Sequence, residues 1–116
     1  MKERRQYPRI IQPLDGTYRG HSGASPCRIS DISWGGCYLQ TMTSPGVSER
    51  TIVTVVMPVN GRSVEIPATV RYVEPAMGFS VMFDNLSPDQ VDALTDVLGE
   101  PPPVVLEENL QKVHRR

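Results

Sequence analysis

The sequence predicts a mainly β fold, a small antiparallel barrel with one α-helix near its C-terminal end. Apolar and polar residues alternate over residues 64–72, which is the period-2 pattern of a half-buried strand. Asn60-Gly61 connects this run to a β-branched run at residues 52–56, and Asn-Gly is the strongest short hairpin signal because both positions accept a positive φ. Further short runs at close spacing, with turn residues between them, favour a small barrel.

The other strands are predicted from shorter runs. Residues 26–32 and 36–41 form two strands on either side of the Gly35-Gly36 turn, and residues 17–19 form a weaker strand before them. A last strand follows Gly78, where apolar residues alternate again up to residue 83.

The helix is predicted to begin at Ser87. Serine is a preferred N-cap, Pro88 suits the first turn, and Asp89 lies at the positive end of the helix dipole. Gly99 is the stop signal. We expect this helix to cover the open end of the barrel with an apolar stripe of Val91, Leu94, Leu98 and, in part, Val97.

The predicted domain spans residues 1–99, with residues 1–12 as a flexible N-terminal arm. Residues 100–116 are predicted to be a Pro-rich spacer and a short C-terminal helix or tail. In the tail, Leu106, Leu110 and Val113 share one face when the segment is helical.

Charge is unevenly distributed although the formal net charge is only -1. Residues 1–9 carry four basic side chains against one acid, whereas residues 84–100 carry acids and no basic residue. A polynucleotide-binding protein usually spreads positive charge over a face, so a basic arm better suits a compact anion. No apolar run approaches the roughly 18–20 residues that cross a bilayer, and the N-terminus lacks a signal-peptide core, so we expect a cytoplasmic protein.

The sequence gives no sign of a metal site or of catalysis. Cys27 and Cys37 are not part of a CxxC motif, and we expect both to be buried thiols of a reduced protein. His21 and His114 have no nucleophile near them in sequence, and no paired carboxylates stand out. We therefore expect no metal, no cofactor and no enzymatic activity.

Two short polar signatures indicate binding instead. The first is Arg5-x-x-x-Arg9 in the N-terminal arm, where the residue before Pro8 is biased towards an extended conformation. Guanidinium groups match phosphate oxygens and the O6/N7 edge of guanine. The alternative interpretation is that these arginines are simply solvated.

The second signature is Asp31-x-Ser33-x-Gly35-Gly36. A carboxylate accepts hydrogen bonds from the donor edge of guanine, and a serine beside a glycine turn can reach a phosphate. Because Asp31 and Ser33 lie two residues apart on a predicted strand, we expect their side chains to share a face. The alternative interpretation is a turn in which both side chains bond their own backbone. We expect Trp34 to be a partly exposed packing residue.

Both signatures, in this order and followed by a small barrel, resemble the PilZ domain family over residues 3–99. Residues 37–39 and 78–83 and the following helix resemble the family pattern as well. The resemblance implies a six-stranded barrel that binds the bacterial second messenger cyclic di-GMP and changes conformation on binding. A downstream effector protein is the implied partner.

Site roles follow from the resemblance at the matching positions. Arg5 and Arg9 would hold guanine and phosphate from the arm, and Asp31 would accept from the N1–H and N2–H groups of guanine. Arg4 directly precedes the first motif, which in this family implies that two intercalated ligand molecules bind. The roles of the other motif residues would be a phosphate or base contact from Ser33 and room for the nucleotide at Gly35 and Gly36.

Two further residues and two further functions remain open. Arg71 and Tyr72 are second-tier candidates for ligand contact, although the alternation places Tyr72 on the core side of its strand and Arg71 outward. One alternative function is a small β-barrel that binds single-stranded nucleic acid, but such a protein would need more aromatic side chains for base stacking than this chain has. The second is a protein-interaction module with an inactive nucleotide site.

Overall fold

The computed structural model of the chain describes residues 13–21, 23–41 and 46–103. The arm with Arg4, Arg5 and Arg9, and the predicted terminal helix after residue 103, lie outside these described residues.

The described residues form a closed antiparallel barrel of six strands followed by one helix, which confirms the predicted fold class. The order of neighbours around the barrel is β1-β2-β3-β6-β5-β4. The elements are β1 Leu14–Gly20, β2 Gly23–Ser30, β3 Gly36–Gln40, β4 Ile52–Val59, β5 Arg62–Glu74, β6 Gly78–Phe83 and α1 Pro88–Leu98.

The β4–β5 hairpin shows how local sequence sets the register. Asn60 and Gly61 have φ values of 51° and 81°. Both values are positive, as a two-residue hairpin turn of the type favoured by strand twist requires. The turn pairs Val59 with Arg62 and so fixes the pairing as far as Ile52 with Thr69. The predicted hairpin is confirmed.

Among the strand boundaries that differ from the prediction, those of β1 and β2 lie next to the candidate motifs. β1 has seven residues rather than a weak three, because it pairs with β2 along its whole length from Leu14 to Gly20. β2 ends at Ser30 rather than at residue 32, because Asp31 has a left-handed backbone with φ 52°. A left-handed residue cannot continue the pleated ladder.

The predicted position of Tyr72 on the core side is wrong. The strand pairing is Val70 with Val81 and then Tyr72 with Ser80, so Arg71 is an extra residue that interrupts the register between β5 and β6. Such a bulge shifts the side chains that follow it. Tyr72 is therefore 50% exposed, and Arg71 beside it is also exposed.

Inward-facing side chains from all six strands and from α1 form one core. Cys27 and Cys37 lie in this core as free thiols, which confirms their predicted burial. Trp34 is also part of the core with 2% of its surface exposed, so the expectation of partial exposure is wrong. Fully burying a large apolar side chain contributes about 1.5–3 kcal/mol.

Helix α1 begins and ends as predicted. The Ser87 side chain accepts from the backbone N–H of Gln90, and the Gln90 side chain accepts from the backbone N–H of Ser87, which completes a capping box. Gly99 ends the helix in the left-handed conformation. Ala93 and Leu94 are the helix residues buried in the core.

Two polar contacts also hold α1 against the β4–β5 hairpin. The Gln90 amide donates to the Glu65 carbonyl at 2.8 Å, and the Asn60 amide donates to an Asp96 carboxylate oxygen at 2.9 Å. Among the described residues, α1 is too short and too polar to span a membrane.

Candidate functional site

The loop of residues 31–36, called the motif loop below, connects β2 to β3 at one end of the barrel. Asp31 occupies the left-handed region with φ 52°, which Asp and Asn tolerate better than other side chains. Its side chain is half-exposed. The loop therefore places a carboxylate at the surface by means of a local backbone conformation and not, as expected, by its position on a strand face.

Ser33 adopts the turn geometry that the sequence left open. Its Oγ accepts from the Gly35 N–H at 3.2 Å and donates to the Gly36 carbonyl at 3.5 Å, while its backbone N–H donates to the same carbonyl at 2.9 Å. In this structure, both hydrogen bonds of the Ser33 hydroxyl are therefore formed within the turn. A phosphate oxygen that binds the Ser33 hydroxyl would have to replace only these two long, weak hydrogen bonds of Oγ.

Buried residues between the polar ones anchor the motif loop. Ile32 is 0% exposed and Trp34 is 2% exposed, whereas Asp31 and Ser33 are half-exposed. The Phe83 N–H donates to the Gly35 carbonyl at 2.9 Å, which fixes the loop to the end of β6. The polar side chains therefore lie on a supported surface, and such support is needed for ordered recognition.

Gly36 has a structural requirement of its own. A Cβ on Gly36 would collide with the carbonyl oxygen of Val81 on β6. Glycine is needed here so that β3 and β6 can approach each other, independently of any ligand. The predicted role of Gly36 in leaving room for a nucleotide stays a prediction.

The predicted arm joins the barrel beside the motif loop. Leu14, the first residue of β1, pairs with Ile29 of β2, two residues before Asp31. The connection between the arm and the barrel therefore lies at the same end as Asp31 and Ser33. The structure brings together the attachment point of the arm and the motif loop, while the arginines themselves lie outside the described residues.

A row of outward-facing polar and aromatic residues starts next to the motif loop. Ser30 pairs with Tyr38, Tyr38 pairs with Ser80, and Ser80 pairs with Tyr72. We call these four residues the outer strip. Adjacent strands lie about 4.8 Å apart, so the strip extends about 14 Å across the barrel surface from β2 to β5.

The far end of the outer strip carries two charged groups. The Tyr38 hydroxyl donates to the Glu74 carboxylate, and burial, followed by the hydrogen bond to Glu74, raises the pKa of Tyr38. One guanidinium nitrogen of Arg71 lies 3.4 Å from the Met82 sulfur. The sequence interpretation did not select Tyr38, Ser80 or Glu74, although the alternation in residues 78–83 could have placed Ser80 outward.

A cavity of about 720 Å³ lies at the opposite end of the barrel, and no residue of the motif loop is among the described residues that line it. Arg19 and His21 contribute its polar wall, and Val47 and Ile52 are among its apolar residues. Arg19 forms a bidentate ion pair with Glu65, at 2.8 and 3.0 Å, which neutralises the charge that it could offer to an anion. The candidate site is therefore the motif loop and not this cavity.

Comparisons with known proteins identify the family. The family model described as PilZ domain matches residues 3–100. The chain belongs to the PilZ domain family. PilZ domains are regulatory receptor domains and not catalytic ones. A comparison with curated proteins finds none that matches this chain.

Solved PilZ structures share the fold at low sequence identity. The PilZ domain of CeSA from a cellulose-synthesizing bacterium is 19% identical, with a TM-score of 0.63, over 78% of this chain and 95% of that chain. The Bacillus subtilis inhibitor of motility, MotI/DgrA, is 18% identical, with a TM-score of 0.65, over 99% of this chain and 54% of that chain.

The third structure is the Klebsiella pneumoniae MrkH complex with cyclic di-GMP. It is 18% identical, with a TM-score of 0.64, over 100% of this chain and 56% of that chain. The present chain thus spans little more than half the length of MotI and MrkH. At these identities the likeness shows the fold alone.

Proposed function

We propose that this PilZ domain is a cyclic di-GMP receptor that binds its ligand between the N-terminal arm and the motif loop. The observation that carries the proposal is the supported surface carboxylate of Asp31, two residues from Ser33, in a chain of this family. MrkH, a structure of the same fold, was solved with this ligand. The ligand carries two phosphate charges, and the arm supplies the guanidinium groups of Arg4, Arg5 and Arg9.

The proposed roles follow the chemistry of each group. Asp31 accepts from guanine N1–H and N2–H, because a carboxylate is an acceptor only. Arg5 and Arg9 form charge-assisted hydrogen bonds with phosphate and with the guanine edge. Ser33 exchanges its weak contact with the Gly36 carbonyl for a phosphate oxygen, and Gly35 and Gly36 line the approach.

We also propose that binding orders the arm against the barrel. A ligand shifts such an equilibrium only through contacts that one state makes and the other does not, and here the arm arginines supply them. A downstream effector protein would recognise the ordered state. The free thiols Cys27 and Cys37 suit a reducing cytoplasm as the place of action.

Calorimetry with cyclic di-GMP, with GMP and GTP as controls, tests the proposal. We expect saturable binding of cyclic di-GMP and much weaker binding of the mononucleotides. Arg5→Ala and Arg9→Ala should each weaken binding by about 1–3 kcal/mol. No binding of cyclic di-GMP by the folded wild-type chain would contradict the receptor assignment and would favour an inactive nucleotide site.

Stoichiometry is a separate prediction that depends on Arg4. The three neighbouring guanidinium groups repel one another unless a second ligand molecule supplies additional phosphate charge or another guanine ring. Guanidinium planes also stack on flat aromatic rings. We therefore expect two cyclic di-GMP molecules per chain and one per chain in Arg4→Leu. One ligand per wild-type chain, measured well above the dissociation constant, would refute the ligand dimer and leave the receptor assignment intact.

A further inference from the structure

The outer strip continues the candidate site beyond its motifs. Asp31 directly follows Ser30, the first residue of the strip, and Tyr72 lies three strands away at its other end. A ligand that contacts Asp31 with one guanine and lies along the strip brings its other guanine, or that of a second molecule, close to Tyr72. The chemistry at that end therefore decides which base is accepted there.

Exposed groups surround Tyr72 because of the bulge in β5. Tyr72 is 50% exposed, so part of its aromatic side chain is open to a flat partner. Arg71 is exposed as well, and its polar contact among the described residues is the Met82 sulfur at 3.4 Å, a weak acceptor. Most of the donors of this guanidinium therefore remain free for a ligand.

Glu74 is held in place on the same surface. The Tyr38 hydroxyl donates to Oε1 of Glu74, which leaves Oε2 as an acceptor without a hydrogen-bond partner among the described residues. A tyrosine hydroxyl is protonated at neutral pH, so Tyr38 is a hydrogen-bond donor to this carboxylate. Between the two tyrosines, Ser80 Oγ is shielded from solvent and has no hydrogen-bond partner within the described part of the chain.

These groups together match the outline of a guanine base. We propose that Glu74, positioned by Tyr38, accepts from the N1–H and N2–H groups of the guanine farthest from Asp31, while Tyr72 lies against the face of that base. This inference rests on the proposed function, since it assigns a second base-reading acid to the same receptor. Adenine presents a ring acceptor on the corresponding edge, so the carboxylate would reject it.

Arg71 completes the subsite from the other side of Tyr72. A guanidinium fork matches the O6 and N7 acceptors of guanine, which lie beside the N1–H and N2–H donors that a carboxylate contacts. Arg71 and Glu74 lie on opposite sides of Tyr72 along β5. An arginine, an aromatic ring and an acid thus meet three different parts of one base.

Glu74→Gln tests the proposal with a matched control. Glutamine keeps the shape of the side chain but replaces one acceptor oxygen with a donor. Glu65→Gln removes the same charge from the same strand, at an exposed position paired with Arg19 and away from the outer strip. Calorimetry would use cyclic di-GMP and cyclic di-IMP, whose hypoxanthine bases lack the 2-amino group but keep N1–H.

We expect Glu74→Gln to weaken cyclic di-GMP binding by about 5-fold to about 150-fold, and to bring its affinity closer to that of cyclic di-IMP. Glu65→Gln should bind both ligands as the wild type does. Tyr38→Phe keeps the ring and loses the hydrogen bond to Glu74, so it should reduce the same discrimination by a smaller factor. Melting temperatures of all variants would establish that they are folded.

Two outcomes would overturn the inference, and a comparison with Asp31→Asn separates its failure from that of the proposed function. Unchanged affinity in Glu74→Gln would show that Glu74 does not touch the ligand. An equal loss for both ligands would show that the Tyr38–Glu74 contact only stabilises the strands. Tight binding of cyclic di-GMP that is weakened by Asp31→Asn and not by Glu74→Gln would refute this subsite alone, whereas no binding by the wild type would refute the proposed function.

Discussion

The two ends of the β3–β6 strand pair place the same demands on the backbone but carry different side chains. At the motif end, a Cβ on Gly36 would collide with the Val81 carbonyl; at the opposite end, a Cβ on Gly78 would collide with the Leu39 carbonyl. Both glycines are required for close strand approach. A glycine in a binding motif is therefore not by itself evidence of a ligand.

Each end also has a residue other than glycine with a left-handed backbone. Asp31 has φ 52° in the motif loop, and Ala76 has φ 64° in the β5–β6 turn. Asp suits this conformation because its side chain can bond nearby backbone groups, whereas Ala gains nothing to offset the strain. Backbone geometry alone therefore does not distinguish the motif end from the opposite end.

The largest effect is expected when either glycine is replaced. Gly36→Ala and Gly78→Ala should each lower the free energy of unfolding by about 3 kcal/mol or more, because the obstacle is backbone and cannot move aside cheaply. Denaturant unfolding of both variants measures this loss. A normal stability of Gly36→Ala together with lost ligand binding would show instead that Gly36 acts on the ligand.

Asp31 separates recognition from folding. Asp31→Asn keeps a residue that tolerates the left-handed conformation, so the fold should be stable while cyclic di-GMP binding weakens by about 1–3 kcal/mol. Asp31→Ala should lose the same binding and, in addition, about 1 kcal/mol of stability. Calorimetry and denaturant unfolding together test both statements. Asp31→Asn that binds like the wild type would remove Asp31 from the site.

Sequence patterns identified most of the barrel because its signals are local. The Asn60-Gly61 turn and the Ser87 cap each depend on a few neighbouring residues, and both were predicted correctly. The outward position of Tyr72 was not predictable, because one extra residue at Arg71 reverses the expected side, and a bulge leaves no clear mark in a period-2 pattern.

The candidate site was predictable only where its residues are close in sequence. Asp31 and Ser33 stand in one short motif, and their surface placement follows from the burial of Ile32 and Trp34 between them. The contact between Tyr38 and Glu74 joins residues 36 positions apart, through two strand pairings of the barrel. Such a pair is found from the strand register and not from spacing along the chain.

A smaller effect is expected at the other left-handed residue. Glu74 to Met77 form a turn closed by a hydrogen bond from the Met77 N–H to the Glu74 carbonyl at 3.1 Å, with Ala76 at the position where such turns favour glycine. Ala76→Gly should therefore raise the free energy of unfolding by up to about 1 kcal/mol. The gain from relieved backbone strain is reduced by the greater conformational entropy that glycine gives to the unfolded chain. Denaturant unfolding against the wild type measures it, and a loss of stability would show that the Ala76 methyl group makes a useful contact.

The smallest effect is expected from a change of pH near neutrality. Burial raises the pKa of Cys27 to about 11 and also raises that of Cys37, while Tyr38 is raised by burial and by Glu74. The unfolded chain loses these protons at about pH 8.5–10. Since the folded state then binds more protons, stability falls as pH rises through that range and beyond, and these groups contribute no change between pH 6 and about pH 8. Urea unfolding at several pH values tests this. Tyr38→Phe should make the alkaline decline shallower, and an unchanged decline would show that Tyr38 does not contribute to it.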